Sequence, residues 1–379
     1  MKTQTYKFPL ILVLVTFFFT SLFWLTFYFN LPAKIGFPPV SLETVFANYD
    51  GPNYMAIAKC GYKKDCLAAS FSLPQPLEYY PAHLPAFPAI IKFFDLFTTG
   101  PKAMLLATLV GSLFLSLASY WFFKLFLGPK TSFCLALLLI FFPARLLVLR
   151  LVGAPETWFM AATLASLLFF SKKRYWFSVL FAVFAQTLKS PGILLFITYA
   201  LYALFQIYSS PKNFSQIAKK YLPYLFIPLS LLLVFWLYRL QNGDFWAYFH
   251  SGDNFHLSLL PYTVFISTKS WIGTLWLEDI VYLYFIALLA VFTLFKKYKI
   301  SPFTLYPAIF TLATLFVAHR DISRYLAPVY PFILLAFAKF LTRPATKIIF
   351  ILLLPALFLF AVNFVVQNTA PIANWASYL

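Results

Sequence analysis

Residues 46–62 of the chain read FANYDGPNYMAIAKCGY and follow directly on the first long apolar segment, 8–29. The stretch is rich in aromatic side chains, yet it contains one carboxylate, Asp50, in a chain that has only 11 acids. The letters DGPN are typical of a helix start, with Asp50 as a side-chain N-cap and Pro52 in the first turn. Helical spacing then places Tyr54 and an apolar strip on the same face as Asp50. A simple cap and a catalytic carboxylate in an outer cleft are therefore two compatible interpretations of Asp50.

The composition around this stretch is that of a membrane protein. Of the 379 residues, 62% are hydrophobic and 11% are charged, whereas soluble domains are about half apolar and a quarter charged. The formal charge of +18 is better explained by the membrane topology than by binding of nucleic acid, because no basic domain or RNA-binding motif accompanies it. We predict no nucleic-acid partner.

Apolar segments recur along the chain and predict an all-α, multi-pass bundle of about eleven transmembrane helices in one integral membrane domain, 1–379. The segments are 8–29, 103–123, 132–149, 156–170, 175–188, 192–208, 222–240, 278–295, 302–318, 325–341 and 348–366. Two of them, 156–170 and 175–188, fall short of the roughly 20 residues that a span needs, so the count is open by one or two. The first segment exceeds a signal-peptide core of about 7–15 residues, which favours an uncleaved anchor.

The charged residues predict which loops face the cytoplasm. With the N-terminus inside, the positive-inside rule is obeyed by the predicted cytoplasmic residues Lys2, Lys7, Lys124, Lys130, Lys172, Lys173, Arg174, Lys212, Lys219, Lys220, Lys296, Lys297, Lys299, Arg343 and Lys347. All four histidines fall on the outer side, together with the acids Glu43, Asp50, Asp65, Glu78, Asp95, Glu156, Asp244, Asp253, Glu278, Asp279 and Asp321. We therefore expect chemistry on the extracytoplasmic face of a cell-membrane protein.

Two long outer loops, 30–102 and 241–277, hold most of the polar sequence. Residues 85–97, PAFPAIIKFFDLF, predict a helix that lies in the membrane interface. The aromatic start of the second loop, QNGDFWAYFHSGDNFHLS, is either an interfacial belt or a lid over a lipid-facing site.

The cysteines leave one question open. Cys60 and Cys66 lie six positions apart in the first outer loop, where a disulfide and two free thiols are equally compatible with the sequence. Cys134 lies in an apolar span and is interpreted as a packing residue.

The order of several short motifs resembles one known family. The first motif comprises Tyr49, Asp50, Tyr54, Ile57, Ala58, Gly61 and Tyr62. The later stretches are YYPAHLPAFP (79–88), APETWFM (154–160), LKSPGILL (188–195) and SRYLAPVYP (323–331). This series is similar to the motifs of the GPI mannosyltransferase II family and its prokaryotic relatives, which are integral membrane C-type glycosyltransferases. Tyr49 stands where the family has Trp, Lys189 where it has Arg, and the Pro-x-x-Pro element is lengthened around His83.

The resemblance implies a C-type glycosyltransferase fold and a set of site residues. Asp50 and Glu156 are implied as the catalytic acids, with Asp50 as the general base. The substrate-binding residues that we expect are Tyr49, Tyr54, Tyr80, His83, Lys189, Arg320 and Arg324. An interfacial polar role is the simpler interpretation of His83. Glu156 either stabilises a helix start or orients the acceptor and pairs with a site cation.

The reaction that the resemblance implies makes physical demands that these residues meet. A sugar on a polyprenyl phosphate already has a good leaving group, so the enzyme must deprotonate an acceptor hydroxyl and stabilise the departing phosphate. Fixed cations near the outer face suit the phosphate, and Arg145 and Arg150 are further candidates. Snorkelling to the interface is an alternative for these two and for Arg324, which the resemblance favours as a site residue. No Asp-x-Asp metal motif is present, and we predict neither a metal nor a cofactor.

We therefore predict an enzyme that moves a hexose, with mannose suggested by the resemblance, from a polyprenyl-phosphate donor to an acceptor hydroxyl of a glycan or glycolipid. Two rival functions remain. A lipid-linked saccharide flippase should carry charged residues along the interior of its spans, and a non-catalytic relative would keep the fold for binding alone.

Overall fold

A computed structural model describes residues 4–72, 75–251, 257–269, 272–370, 372 and 374–378. Within this part of the chain the protein is helical and contains no β-strand. The helices before residue 172 are α1 Gln4–Tyr28, α2 Leu42–Phe46, α3 Gly51–Cys60, α4 Lys64–Ser70, α5 Ala86–Phe94, α6 Gly100–Phe123, α7 Pro129–Phe141, α8 Ala144–Leu149 and α9 Glu156–Ser171. The later ones are α10 Tyr175–Leu188, α11 Ile193–Ser209, α12 Phe214–Tyr221, α13 Phe226–Asn242, α14 Thr263–Ile266, α15 Thr274–Tyr298, α16 Pro302–Thr314, α17 Ile322–Tyr325, α18 Tyr330–Ala336, α19 Ala338–Leu341 and α20 Pro344–Gln367.

Six stretches of the described chain are helical, long and apolar enough to cross a membrane. They are Lys7–Tyr28, Gly100–Phe123, Ser190–Ser209, Pro211–Asn242, Trp276–Tyr298 and Pro344–Gln367. The last of them exposes large apolar side chains along its length, including Ile348, Ile351 and Leu352. Such surfaces are stable in contact with lipid rather than with water. The expectation of a helical membrane protein is confirmed at this level, and the count of eleven crossings stays a prediction.

Prolines divide two of the predicted spans. The span expected at 132–149 consists of α7 and α8, separated at Pro143. The span expected at 325–341 is divided among α17, α18, α19 and a 3₁₀ turn, Ala327–Val329, that contains Pro328. Proline has no N–H for the i−4 carbonyl and its ring crowds the preceding turn, which favours a helix break at these two places. Apolar composition alone had joined these pieces into continuous helices, and those two boundaries were wrong.

Contacts between loop segments gather the first outer loop, the segment after α8 and the C-terminal segment at one end of the bundle. Ala370 donates its backbone N–H to the carbonyl of Ala47 at 2.7 Å, and the amide of Asn48 donates to the carbonyl of Val365 at 2.6 Å. The indole of Trp24 in α1 donates to the carbonyl of Leu151 at 2.8 Å. The bonds at Ala47 and Asn48 hold the chain directly before the residues of the first motif.

The segment expected to lie in the interface is helical, as α5. Phe87 and Ile91 are buried against the protein, whereas Phe93, Leu96 and Phe97 are 55%, 76% and 71% exposed at the C-terminal end of the segment. This apolar exposure favours contact with lipid, so the interfacial placement stays a prediction that the surface supports.

The second outer loop packs aromatic rings around Phe235 of α13. Phe245, Trp246, Tyr248 and Phe249 have ring centroids 5.6–6.4 Å from that of Phe235. This cluster is compatible with both the interfacial belt and the lid. Two residues of this loop that are predicted to be on the outer side, Asp253 and His256, lie outside the described residues. Lys2, which is predicted to be cytoplasmic, also lies outside them.

Cys60 and Cys66 form a disulfide with their Cα atoms 5.6 Å apart. The bridge joins the end of α3 to α4, which answers the question that spacing alone left open. Cys134 is a free thiol in α7.

The predicted topology can be tested with single cysteines at opposite ends of the bundle. Lys34 and Lys173 are both exposed, and replacing Cys134 while keeping the Cys60–Cys66 bridge leaves no other free thiol. We expect Lys34→Cys to react with an impermeant maleimide applied from outside, and Lys173→Cys to react only after permeabilisation. The reverse pattern would place the acid-rich end in the cytoplasm and exclude extracytoplasmic chemistry.

Candidate functional site

Asp50 stands directly before α3, but its side chain does not cap the helix. Pro52 lies in the first turn as expected, whereas the Asp50 carboxylate makes no capping hydrogen bond. Its φ of −89° and ψ of 10° also differ from the β-region backbone that an N-cap adopts. The predicted side-chain cap is therefore wrong. The carboxylate instead accepts a hydrogen bond from a guanidinium in a distant part of the chain.

Arg324 of α17 joins the two carboxylates that the sequence singled out. Its NH2 donates to Asp50 Oδ2 at 3.1 Å and its Nε donates to Glu156 Oε1 at 2.6 Å. Lys189 donates to the same Glu156 oxygen at 2.6 Å. These charge-assisted bonds connect four residues that lie far apart in sequence, and we call Asp50, Glu156, Lys189 and Arg324 the charge cluster. Snorkelling does not explain Arg324, whose side chain is 12% exposed.

Tyr49 contacts both the charge cluster and a second ion pair, that of Arg145 and Asp321. Its ring lies 4.5 Å from the Arg324 guanidinium carbon and stacks on Phe364 of α20. Its hydroxyl donates to Asp321 Oδ2 and accepts from Arg145 NH1, each at 3.2 Å. Arg145 in turn pairs with Asp321 through Nε at 2.8 Å. Snorkelling therefore does not describe Arg145, because a buried carboxylate holds it.

The backbone around Asp50 adopts a conformation that secondary structure alone would not produce. Tyr49 has a φ of +50°, which is uncommon for a non-glycine residue and costs of order 1–3 kcal/mol. The neighbouring Gly51 lies against Gly153, where an added Cβ on Gly153 would come within 3.0 Å of the Gly51 Cα. This approach of two backbones brings the loop that carries Asp50 beside the loop that precedes Glu156.

Aromatic rings and His83 form a wall beside Asp50. His83 Nε2 lies 3.7 Å from Asp50 Oδ1, and the imidazole is only 4% exposed. The rings of Tyr54 and Tyr79 pack against the imidazole with centroids 4.9 and 5.3 Å away. His83 is thus part of the site rather than a residue of the membrane interface, although its interfacial role was the simpler interpretation of the sequence.

The electrostatics of the cluster keep Asp50 ionised. Burial raises the pKa of the Asp50 carboxyl, but the contact with His83 and the charge of Arg324 outweigh it and hold that pKa below its usual value. Burial lowers the pKa of Arg324, and the carboxylates of Glu156 and Asp50 more than reverse that effect. With Lys189 and the pair of Arg145 and Asp321, the site balances three cations against three carboxylates.

The remaining expected site residues lie outside this cluster. Arg320 is exposed, although it is close to Arg324 in sequence. Tyr80 is 2% exposed and packs in the core, while its neighbour Tyr79 contacts His83. Arg150 is buried deeper in the bundle, against Ser112 and Ser116 of α6.

Two participants were not assigned to the site from the sequence. Asp321 was recognised only as an outer acid and Tyr79 only as part of an aromatic pair. The HRD letters of 319–321, next to Arg324, are the one local signal that could have suggested Asp321.

The arrangement has the parts of a transfer site for a polar molecule. Asp50 is 26% exposed and can be reached by a ligand. Within the described residues, the hydrogen bonds of Arg324 use Nε and NH2, and Glu156 Oε2 is buried without a hydrogen-bond partner. In comparisons with known proteins, no family model matches this chain and no curated protein matches it. The functional inference therefore depends on this geometry and on the resemblance of the motifs.

Proposed function

We propose that the protein is a membrane glycosyltransferase that moves a hexose from a polyprenyl-phosphate donor to an acceptor hydroxyl on the extracytoplasmic face. The observation that supports this most directly is the Asp50 carboxylate, which is partly exposed and held ionised beside a buried arginine. A base for an acceptor hydroxyl and a cation for a leaving phosphate are the two groups that this reaction requires.

In this reaction Asp50 is the base, and Arg324 and Lys189 bind the leaving phosphate. Asp50 takes the proton of the acceptor hydroxyl while the acceptor oxygen forms its bond to the anomeric carbon. The bond between that carbon and the phosphate oxygen breaks, and the lipid phosphate leaves with the electron pair and a negative charge. Arg324 and Lys189 stabilise that charge, with Arg324 offering its planar donors to two phosphate oxygens. Inversion at the anomeric carbon is expected for this single displacement.

Glu156 has a positioning role in this proposal. Its Oε1 accepts from both Lys189 and Arg324, which fixes the two cations. Its Oε2 is buried and has no hydrogen-bond partner among the residues that the structure describes. A buried carboxylate oxygen without a partner is unfavourable unless a ligand supplies a donor. A substrate hydroxyl is a suitable donor, so Glu156 orients the sugar or the acceptor beside Asp50.

A lipid-linked saccharide flippase is the rival function. It needs a series of polar groups through the bundle, whereas Asp50, Glu156 and Asp321 meet in one region at one end. Among the described residues, Arg150 is a buried charged residue that lies deeper in the bundle than this region, and by itself it makes no path for a sugar.

The proposal is tested by incubating membranes that contain the protein with several radiolabelled polyprenyl-phosphate hexoses. We expect one hexose, mannose first among the candidates, to move to an acceptor in membranes with the wild-type protein and not in membranes with Asp50→Asn. Transfer of none of the hexoses, together with movement of labelled lipid across the membrane, would favour the flippase instead. Absence of both activities would favour a non-catalytic binding protein.

A further inference from the structure

Arg150 lies deep inside the bundle, away from the charge cluster. Its side chain is 1% exposed, and NH1 donates to the Ser112 carbonyl at 3.2 Å and to Ser116 Oγ at 3.3 Å. At a rise of 1.5 Å per residue, these serines lie about 18 and 24 Å along α6 from Gly100. Because α6 has 24 residues, the guanidinium lies near the middle of a membrane-spanning helix. Snorkelling to an interface is therefore excluded for Arg150.

The charge of Arg150 has no partner in the described part of the chain. No carboxylate there lies within ion-pair distance of the guanidinium, and Nε and NH2 make no hydrogen bond. Arginine does not lose its proton in proteins, and a buried charge left uncompensated costs several kcal/mol. In the membrane interior such a residue marks a functional site by default.

We propose that Arg150 holds one small monovalent anion of the halide class inside the bundle. The donors available to it are Nε and NH2 of Arg150. The Ser116 hydroxyl donates to the Ser112 carbonyl at 2.9 Å, and its oxygen lies 2.9 Å from the hydroxyl of Thr16. Thr16 is 1% exposed and Ser116 is fully buried, so the ion would be held between α1, α6 and the end of α8.

The chemistry of the surroundings selects this class of ligand. One negative charge neutralises one guanidinium, whereas sulfate or a phosphate dianion would bring a second, uncompensated charge into the interior. Water could accept the unpaired N–H groups but would leave the positive charge in place. Chloride, which needs only hydrogen-bond donors, meets both requirements.

The experiment measures binding of radiolabelled chloride to the purified full-length protein by scintillation proximity, in gluconate buffer at constant ionic strength. We expect saturable binding of about one chloride per chain, displaced by bromide and not by gluconate or sulfate. Because a ligand of the folded state stabilises it, chloride should also raise the unfolding midpoint, by roughly 2 °C for each tenfold excess over its dissociation constant. A wild-type protein that shows neither effect overturns the proposal and indicates that water occupies the site.

Three variants locate the site. Arg150→Met removes the cation while keeping apolar bulk, and it should abolish chloride binding. Arg150→Lys keeps a positive charge but loses the planar donors Nε and NH2, so it should weaken binding by about tenfold or more. Arg343→Met is the matched control, since Arg343 is exposed at the start of α20, and it should bind chloride like the wild type. Undiminished binding by Arg150→Met, or by Arg150→Lys if the methionine variant fails to accumulate, would place the ion elsewhere.

Discussion

Asp50→Asn is expected to lower the turnover of hexose transfer by roughly 10²–10⁴-fold, the range that a general base contributes. Asparagine keeps the size of aspartate, and its amide oxygen can still accept the hydrogen bond from Arg324 NH2. It cannot take the proton of an acceptor hydroxyl. The charge cluster should therefore persist, with Arg324 still held by Glu156, while the chemical step slows.

The measurement compares initial rates per amount of folded protein in the membrane, together with binding of the polyprenyl-phosphate donor. Donor binding should largely survive, because Asp50 is assigned to the acceptor. Asp65→Asn is the matched control, because Asp65 is an exposed acid in the same outer loop, and its rate should equal that of the wild type. Full activity of Asp50→Asn would refute the catalytic assignment and leave Asp50 as a partner of Arg324 alone.

Arg324→Ala is expected to reduce the use of the donor by roughly 10²–10³-fold, as loss of a fixed donor to a developing oxyanion does elsewhere. In the wild type, Arg324 pairs with both Asp50, which is half-buried, and Glu156, which is buried. The substitution removes this shared guanidinium. Lys189 keeps Glu156 paired, which favours a folded protein with a damaged site.

Two comparisons separate phosphate binding from stability. Arg343→Ala removes an exposed cation from a loop that is predicted to be cytoplasmic, so it should leave donor turnover unchanged. Arg324→Lys retains the positive charge but loses the planar fork, so it should fold like the wild type and still lose most of the donor turnover. Equal, small effects of Arg324→Ala and Arg343→Ala would show that Arg324 has no special part in binding the phosphate.

The equal numbers of cations and carboxylates in the site determine how the donor phosphate can bind. An incoming lipid phosphate adds negative charge beside Asp50 and Glu156, so it must share Arg324 or Lys189 with a carboxylate. Each cation has donors left for this: Arg324 uses Nε and NH2 in its ion pairs, and the Lys189 side chain is 26% exposed. Donor binding would then weaken the ion pair between Arg324 and Asp50. A weaker ion pair makes the Asp50 carboxylate more basic, which favours removal of the proton from the acceptor hydroxyl.

The sequence alone determined the helical membrane character of the protein. Runs of apolar residues specify spanning helices because a backbone in lipid must satisfy its own hydrogen bonds. The segregation of acids and basic residues among the loops likewise predicted that the acids would share one side. Asp50, Glu156, Lys189 and Arg324 could be singled out as candidates, since each lies at a helix end in a motif that resembles one family.

The tertiary structure alone decided which of these residues meet. Asp50 and Arg324 are 274 positions apart, and Glu156 and Arg324 are 168 apart, so no local pattern could pair them or show that Arg324 would take the carboxylate expected to cap α3. Local propensity predicts caps, but a charge-assisted bond to a buried arginine is the stronger interaction. The pairing of Arg145 with Asp321 and the burial of Arg150 without a counter-charge depend likewise on how the helices pack, because burial is a property of three-dimensional neighbours and not of sequence position.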